Sequence, residues 1–204
     1  MPLPDFTNTA TFPSFISIPE LIASPPLVED GKDAAAEEDD WFLLGQVRDF
    51  MTITMPTIIL LDRDNSPFAL IFEGYGAEGL PFSKFGLKKG TTAVIPRARR
   101  TPQQGKRGFV SVEKGKLADI KVIPGELKRV LGVTEVLKLR KSGEGGSWEM
   151  GCETCGEKKG GMKKCTGCEE VKYCSKECQA KGWNDAGHKV DCKIIKAIRE
   201  IWGK

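Results

Sequence analysis

The sequence predicts two folded parts: a mostly β domain in its N-terminal two-thirds and a small, cysteine-stapled helical domain near its C-terminus. Three observations predict this. Short runs rich in Val, Ile, Thr and Phe recur from Trp41 onward, divided by Gly-, Pro-, Asn- and Lys-Gly-containing turns. A Gly/Ser-rich stretch, KSGEGGSWEMG at 141–151, interrupts that texture. All seven cysteines then fall between residues 152 and 192, together with His188, the chain's single histidine.

Hydrophobic residues make up 40% of the chain and charged residues 29%, the balance of an ordinary globular protein. No apolar run approaches the roughly 18 residues needed to span a bilayer, so no membrane partner is expected. The first residues lack the basic-then-apolar order of a secretory signal, which places the protein in the cytosol or nucleus. Thiols are kept reduced there, so clustered cysteines point to a metal before disulfides. The net charge of +3 is unevenly spread: residues 1–40 carry nine acidic and one basic residue, which leaves the rest of the chain strongly basic.

Residues 1–40 show no sustained period, carry prolines at 2, 4, 13, 19, 25 and 26, and end in EDGKDAAAEEDD. The expectation is a disordered acidic, Pro-rich tail. Residues 41–140 read as the β domain with a terminal helix at about 125–140. LLGQVRDF, TIILLDRD, PFALIFEG, TTAVIPRAR, RGFVSVEK and LADIKVIP are its strand candidates, and Pro56 calls for a bend, a bulge or an edge position. The order is a long bent strand, a hairpin, a connector and three more strands. It resembles the OB-fold, a five-stranded Greek-key barrel, most closely over 90–124. Residues 141–151 are a linker. In the last segment, 193–204, Ile194, Ile195, Ile198 and Ile201 recur at helical spacing and predict a packing helix.

The cysteines come in pairs: Cys152-x2-Cys155, Cys165-x2-Cys168, Cys174-x3-Cys178 and His188-x3-Cys192. A two-residue spacer lets two thiolates converge on one ion, and i, i+4 ligands share one face of a helix. Eight ligands suffice for two closed tetrahedral zinc sites, each zinc taking thiolate or imidazole. A sequential pairing and an interleaved pairing both yield one four-cysteine site and one three-cysteine, one-histidine site, so spacing leaves the choice open.

The run Tyr173-Cys174-Ser175, Cys178-Gln179, Trp183 and His188-Lys189 before Cys192 resembles a MYND zinc finger over residues 152–192. Four residues separate Trp183 from His188, slightly more than the family usually has. The resemblance implies interleaved zinc sites: Cys152, Cys155, Cys174 and Cys178 on the first ion, Cys165, Cys168, His188 and Cys192 on the second. It also implies a protein-interaction finger that holds proline-containing peptides, often Pro-x-Leu-x-Pro, along a groove whose matching positions are Lys176, Gln179 and Trp183. The tail carries partial motifs of that kind, Pro19-x-Leu21 and Pro25-x-Leu27, which could dock on the finger. The plainer reading of both is an unstructured tail.

Three function classes follow. An enzyme is not expected, because every cysteine and the one histidine are committed to metal and no nucleophile–base pair, P-loop or GxGxxG is present. No small-molecule substrate is expected either. A zinc-binding adaptor or regulatory subunit, with protein partners bearing proline motifs, is the leading reading. The alternative is single-stranded nucleic-acid binding by the β domain. Arg97, Arg99, Arg100, Lys106 and Arg107 would then contact the phosphates or an acidic partner, with Phe68, Phe72, Phe82 and Phe109 as candidate stacking platforms.

Overall fold

A computed structural model describes residues 4–21, 40–76, 80–141 and 151–203. They divide into two compact units, residues 7–121 and residues 122–204 with 1–6.

The first unit is mostly β. Strands β1 (Phe42–Thr52) and β2 (Pro56–Leu61) form an antiparallel hairpin around residues 53–55. Pro56 opens β2 opposite Thr52 and so costs the ladder no interior donor. The register slips between Val47 and Asp49, a bulge that bends the long first strand. β3 (Pro67–Phe72) follows, and β2 and β3 alternate as period 2 requires, with Ile58, Leu60, Phe68, Leu70 and Phe72 turned inward. β4 (Thr92–Pro96), β5 (Thr101–Gln103) and β6 (Lys106–Val112) complete the order β5-β6-β3-β2-β1-β4, in which β3 and β6 run parallel.

That order forces curvature. Laid flat, β5 and β4 would sit about 24 Å apart at the usual inter-strand spacing. Yet β4 and β5 are consecutive in the chain, and the path from Pro96 to Thr101 reaches about 17 Å at most. The sheet therefore curls until its ends approach. Phe68, Phe72 and Phe82 lie in the enclosed core, and Phe109 is partly buried. A short strand, β7 (Lys121–Ile123), lies where the chain leaves this unit.

The tail reading is corrected for the described residues. Phe12, Phe15 and Ile18 are buried, and Phe15 heads a 3-10 turn, Phe15–Ser17. Phe12 stacks on Phe42, and Phe15 lies almost parallel to Phe68 with ring centroids 4.8 Å apart. Aromatics bury large areas each, so three apolar residues anchor a segment whose composition otherwise reads as unstructured. Pro19 and Leu21 are also engaged, the Arg100 amide donating to the Pro19 carbonyl and the Leu21 amide to the Arg100 carbonyl. Pro19-x-Leu21 is thus held on the β unit and not on the finger, whereas Pro25-x-Leu27 lies outside the described residues.

Asp62 ties the β2–β3 turn to this segment. Only 4% exposed, its carboxylate accepts from the amides of Phe15 (2.9 Å), Asp64 (3.0 Å) and Ser66 (2.8 Å).

The second unit contains α1 (Leu127–Lys141), a ribbon of β8 (Lys163–Lys164) and β9 (Lys172–Tyr173), α2 (Lys176–Asn184) and α3 (His188–Trp202). Two expected boundaries shift. α1 clusters with the finger and not with the β domain, because Leu137 buries in one core with the cysteines, Tyr173 and Ile195. The terminal helix begins at His188 and not after Cys192, so one helix carries both the last two ligands and the isoleucine stripe. The 141–151 linker lies almost wholly outside the described residues.

Asp62→Ala strands the three amides that its carboxylate satisfies. Hydrogen bonds to charged groups are worth about 1.5–3 kcal/mol each before the vacated site relaxes. The β unit is expected to lose about 3 kcal/mol in denaturant unfolding, with amide exchange accelerated at Phe15 and in the 62–66 turn.

Candidate metal centre

Two knuckles, one ribbon and two helix starts bring eight ligands together. In the first knuckle the Gly156 amide donates to the Cys152 carbonyl at 2.8 Å, with Gly156 at φ 75°, where glycine turns the chain without strain. The second repeats that bond from the Glu169 amide to the Cys165 carbonyl at 2.8 Å, with Glu169 itself at φ 58°. A side chain is disfavoured in that conformation, and a clamp compensates. Arg199 of α3 donates to the Cys168 carbonyl at 2.6 Å and to the Glu169 carboxylate at 3.1 Å. Gly167, between the two cysteines, has no room for a side chain: a Cβ there would meet the Cys192 sulfur at 2.7 Å.

Helix starts supply the other four ligands. Ser175 caps α2 and accepts from the Cys178 amide at 3.2 Å, which fixes Cys174 just before the helix and Cys178 in its first turn. α3 begins at His188 after Gly187 at φ 77°, and Cys192 follows one turn later on the same face.

The ligand atoms form two groups: Cys152, Cys155, Cys174 and Cys178 in one, Cys165, Cys168, His188 and Cys192 in the other. Within each, every ligand atom lies within 4.8 Å of the others. Sulfur–sulfur distances are 3.6 Å for Cys155–Cys174, 3.5 Å for Cys174–Cys178 and 3.8 Å for Cys165–Cys192, and Cys168 Sγ lies 3.7 Å from His188 Nε2. A tetrahedral zinc with bonds of about 2.3 Å to sulfur sets neighbouring sulfurs about 3.8 Å apart. A disulfide would need about 2.05 Å. The donor set and spacing thus fit two zinc ions, in the interleaved pairing. All four ligands of the second group are buried, whereas Cys155 of the first is exposed.

Backbone amides favour the ionised form of two of the thiols, Cys152 and Cys165, whereas burial raises Cys168 and Cys192. Burial pushes the Cys152 thiol up, but the amides of Cys155, Cys174 and Thr154 outweigh it and bring it to about 6. Burial likewise raises Cys165, and the amides of Cys168 and Gly167 again win and lower it. Burial lowers His188, which keeps its ring neutral and able to ligate.

Residues 152–192 match the family described as MYND finger. They are a MYND finger. The finger holds two zinc ions and is a protein-interaction domain. Its relatives align over this region alone. "SET domain-containing protein 14" of Caenorhabditis elegans is 42% identical over 50 residues, covering 24% of this chain and 11% of that protein. "N-lysine methyltransferase SMYD2-B" of Danio rerio is 39% identical over 51 residues, 25% of this chain and 11% of that protein. "Ubiquitin carboxyl-terminal hydrolase 19" of Arabidopsis thaliana is 48% identical over 42 residues, 21% of this chain and 6% of that protein. The chain thus spans about a tenth or less of the length of these curated relatives.

On the MYND finger, Lys176, Gln179 and Trp183 share one face of α2 at i, i+3 and i+7. Lys176 is exposed, Gln179 half-buried, and Trp183 packs on the finger core with its ring edge-on to His188. The Gln179 side-chain amide has no hydrogen-bond partner among the described residues.

The basic cluster of the β unit is differently placed. Arg97 pairs with Asp40 at 2.7 Å, Arg99 lies over the Trp41 ring at 5.7 Å, and Arg100 pairs with Glu20 at 2.7 Å, its side chain only 19% exposed. Arg99 and Arg100 are half-buried and engaged within the chain, whereas Arg97, despite its ion pair, is exposed, as are Lys106 and Arg107.

Sequence reasoning missed Arg199 and Leu137. Arg199 was within reach, since helical spacing carries the His188 and Cys192 face on to Ile195 and Arg199. Leu137 carried no signal, because the residues between α1 and the finger hide the contact.

Interleaving yields a stoichiometric test. Cys155→Ser/Cys174→Ser removes two ligands of one ion, so one zinc per chain is expected to remain by mass spectrometry of the purified protein. Cys155→Ser/Cys168→Ser touches both ions and is expected to leave none firmly bound. Structural zinc contributes about 10–16 kcal/mol of apparent folding free energy. A strong chelator is therefore expected to abolish the helical circular dichroism of the finger and to open 152–192 to proteolysis.

Proposed function

We propose that this protein is a zinc-stabilised adaptor whose MYND finger holds proline-containing peptide segments along the Lys176/Gln179/Trp183 face of α2. The observation that carries this reading is the chemistry of that face. An indole offers an apolar wall for proline and leucine beside a carboxamide whose donors and acceptor are unspent, and such an amide can bond a peptide backbone on both sides. The interleaved ions hold α2 rigidly, which cuts the ordering cost of binding.

The adaptor reading is also favoured over an enzyme. The seven cysteines and His188 are occupied as ligands, and the relatives share the finger while differing in named activity. We place the protein in the cytosol or nucleus, where reduced thiols keep such sites loaded. For the β unit we propose an OB-like Greek-key barrel, on the strand order and the parallel β3–β6 pair. The engagement of Arg97, Arg99 and Arg100 within the chain makes a protein surface a better assignment for it than a nucleic-acid groove.

A synthetic Pro-Ala-Leu-Ala-Pro peptide is expected to bind the full-length, zinc-loaded protein and to perturb Trp183 fluorescence. Loss of a neutral hydrogen bond or of an anchoring aromatic costs about 1 and 2 kcal/mol respectively. Gln179→Ala should therefore weaken binding about five-fold and Trp183→Ala about thirty-fold, with two zinc ions retained in each. Unchanged affinity in both variants would sink the groove.

A further inference from the structure

The β8–β9 ribbon of the finger breaks a rule of sheet pairing. Lys164 stands directly opposite Lys172 across the two strands. Opposed residues of an antiparallel pair project to the same face, about 5 Å apart, and like charges there repel. Neither lysine ammonium has an ion-pair or hydrogen-bond partner among the described residues. Lys176 follows four residues after Lys172 as the first residue of α2, also without an acidic partner among the described residues. A cation there also faces the positive end of the helix dipole.

Several other charges of the finger are paired. Lys159 pairs with Glu157, Arg199 with Glu169 and Arg129 with Asp191. Glu153 donates its amide to the Lys172 carbonyl, and its carboxylate acts on Tyr173 and His188. Lys163, Lys181, Lys189 and Lys193 also lack an ion pair among the described residues, but only Lys164 and Lys172 are opposed directly across the ribbon, with Lys172 four residues before Lys176 opens α2.

We propose that the finger's partner is an acidic peptide segment: carboxylates beside the proline core sit on Lys164 and Lys172, and Lys176 joins the ribbon to the α2 groove. This inference rests on the groove reading above and adds the charge of the partner to it. A protein segment fits better than single-stranded nucleic acid. Bases need exposed aromatic faces to stack on, and Trp183, the aromatic of this stripe, is half-buried in the finger core.

The test uses the full-length, zinc-loaded protein and three labelled peptides read by fluorescence anisotropy. One flanks Pro-Ala-Leu-Ala-Pro with Glu-Glu at both ends, one flanks it with Gln-Gln, and one places the four glutamates around Ala-Gly-Ala-Gly-Ala. At about 50 mM salt, where screening is weak, the Glu-flanked core should bind about ten-fold tighter than the Gln-flanked core. The gap should close in Lys164→Gln/Lys172→Gln and persist in Lys189→Gln/Lys193→Gln, with zinc content unchanged in both. Equal affinity for the two cores, or a gap that survives Lys164→Gln/Lys172→Gln, overturns the inference and leaves the groove standing. Binding of the proline-free glutamate peptide alone supports the lysine ribbon and removes the groove. Binding by none of the three overturns both. A single-stranded oligonucleotide that binds through the same two lysines more tightly than the Glu-flanked core overturns the assignment to a peptide.

Discussion

Tetrahedral coordination of two interleaved ions is the constraint on which the C-terminal unit depends. The chain visits the first site at Cys152 and Cys155, the second at Cys165 and Cys168, the first again at Cys174 and Cys178, and the second again at His188 and Cys192. Neither half of the finger can complete a site by itself, because 152–168 and 174–192 each carry two ligands of each ion. Each ion joins a loop to a helix start, so metal binding positions the β8–β9 ribbon, α2 and α3 together. The apolar core that accompanies this is small, built around Leu137, Val171, Tyr173 and Ile195. Burial on that scale does not stabilise a domain of forty-odd residues alone, and the metal supplies the difference.

The surroundings of the two sites divide the labour. The second site is closed from solvent and is held from outside by Arg199, whose guanidinium satisfies the Cys168 carbonyl and secures Glu169 in a left-handed turn. The first site is more open at Cys155 and abuts α2, the helix that carries the face assigned to peptide binding. On that helix Lys176 is exposed and Gln179 half-buried. Trp183 packs on the finger core with its ring edge-on to His188, on the same helix face that we propose for the peptide.

In the β unit the decisive constraint is chain connectivity. Four residues between β4 and β5 must bridge strands that stand five places apart in the sheet order, so the sheet cannot lie flat. Those residues, 97–100, are the ones that read as a basic patch. Their arginines are spent on Asp40, Trp41 and Glu20 in fastening the segments that precede β1. Charge density in a sequence is thus a poor guide to charge available at a surface. The uncompensated lysines lie instead in the finger, on a ribbon too short to announce itself as a strand pair.

The sequence by itself determined the ligands, their number and the domain that uses them. Paired cysteine spacing is a local property, set by turns and by one turn of helix, and it survives in a linear string. Most strands of the β domain were legible for the same reason, since period-2 alternation at Ile58, Leu60, Phe68 and Leu70 is also local. Only the tertiary structure decided what long-range packing decides. It ordered Phe12, Phe15 and Ile18 on the β unit, where Asp62 waits 47 residues downstream of Phe15. It moved α1 to the finger through Leu137, opposed Lys164 to Lys172, and matched each knuckle to its distant partner pair. Spacing gives each ligand pair the same description whichever ion it serves, so the residues alone left the match open, the family resemblance implied it, and the sulfur positions show it.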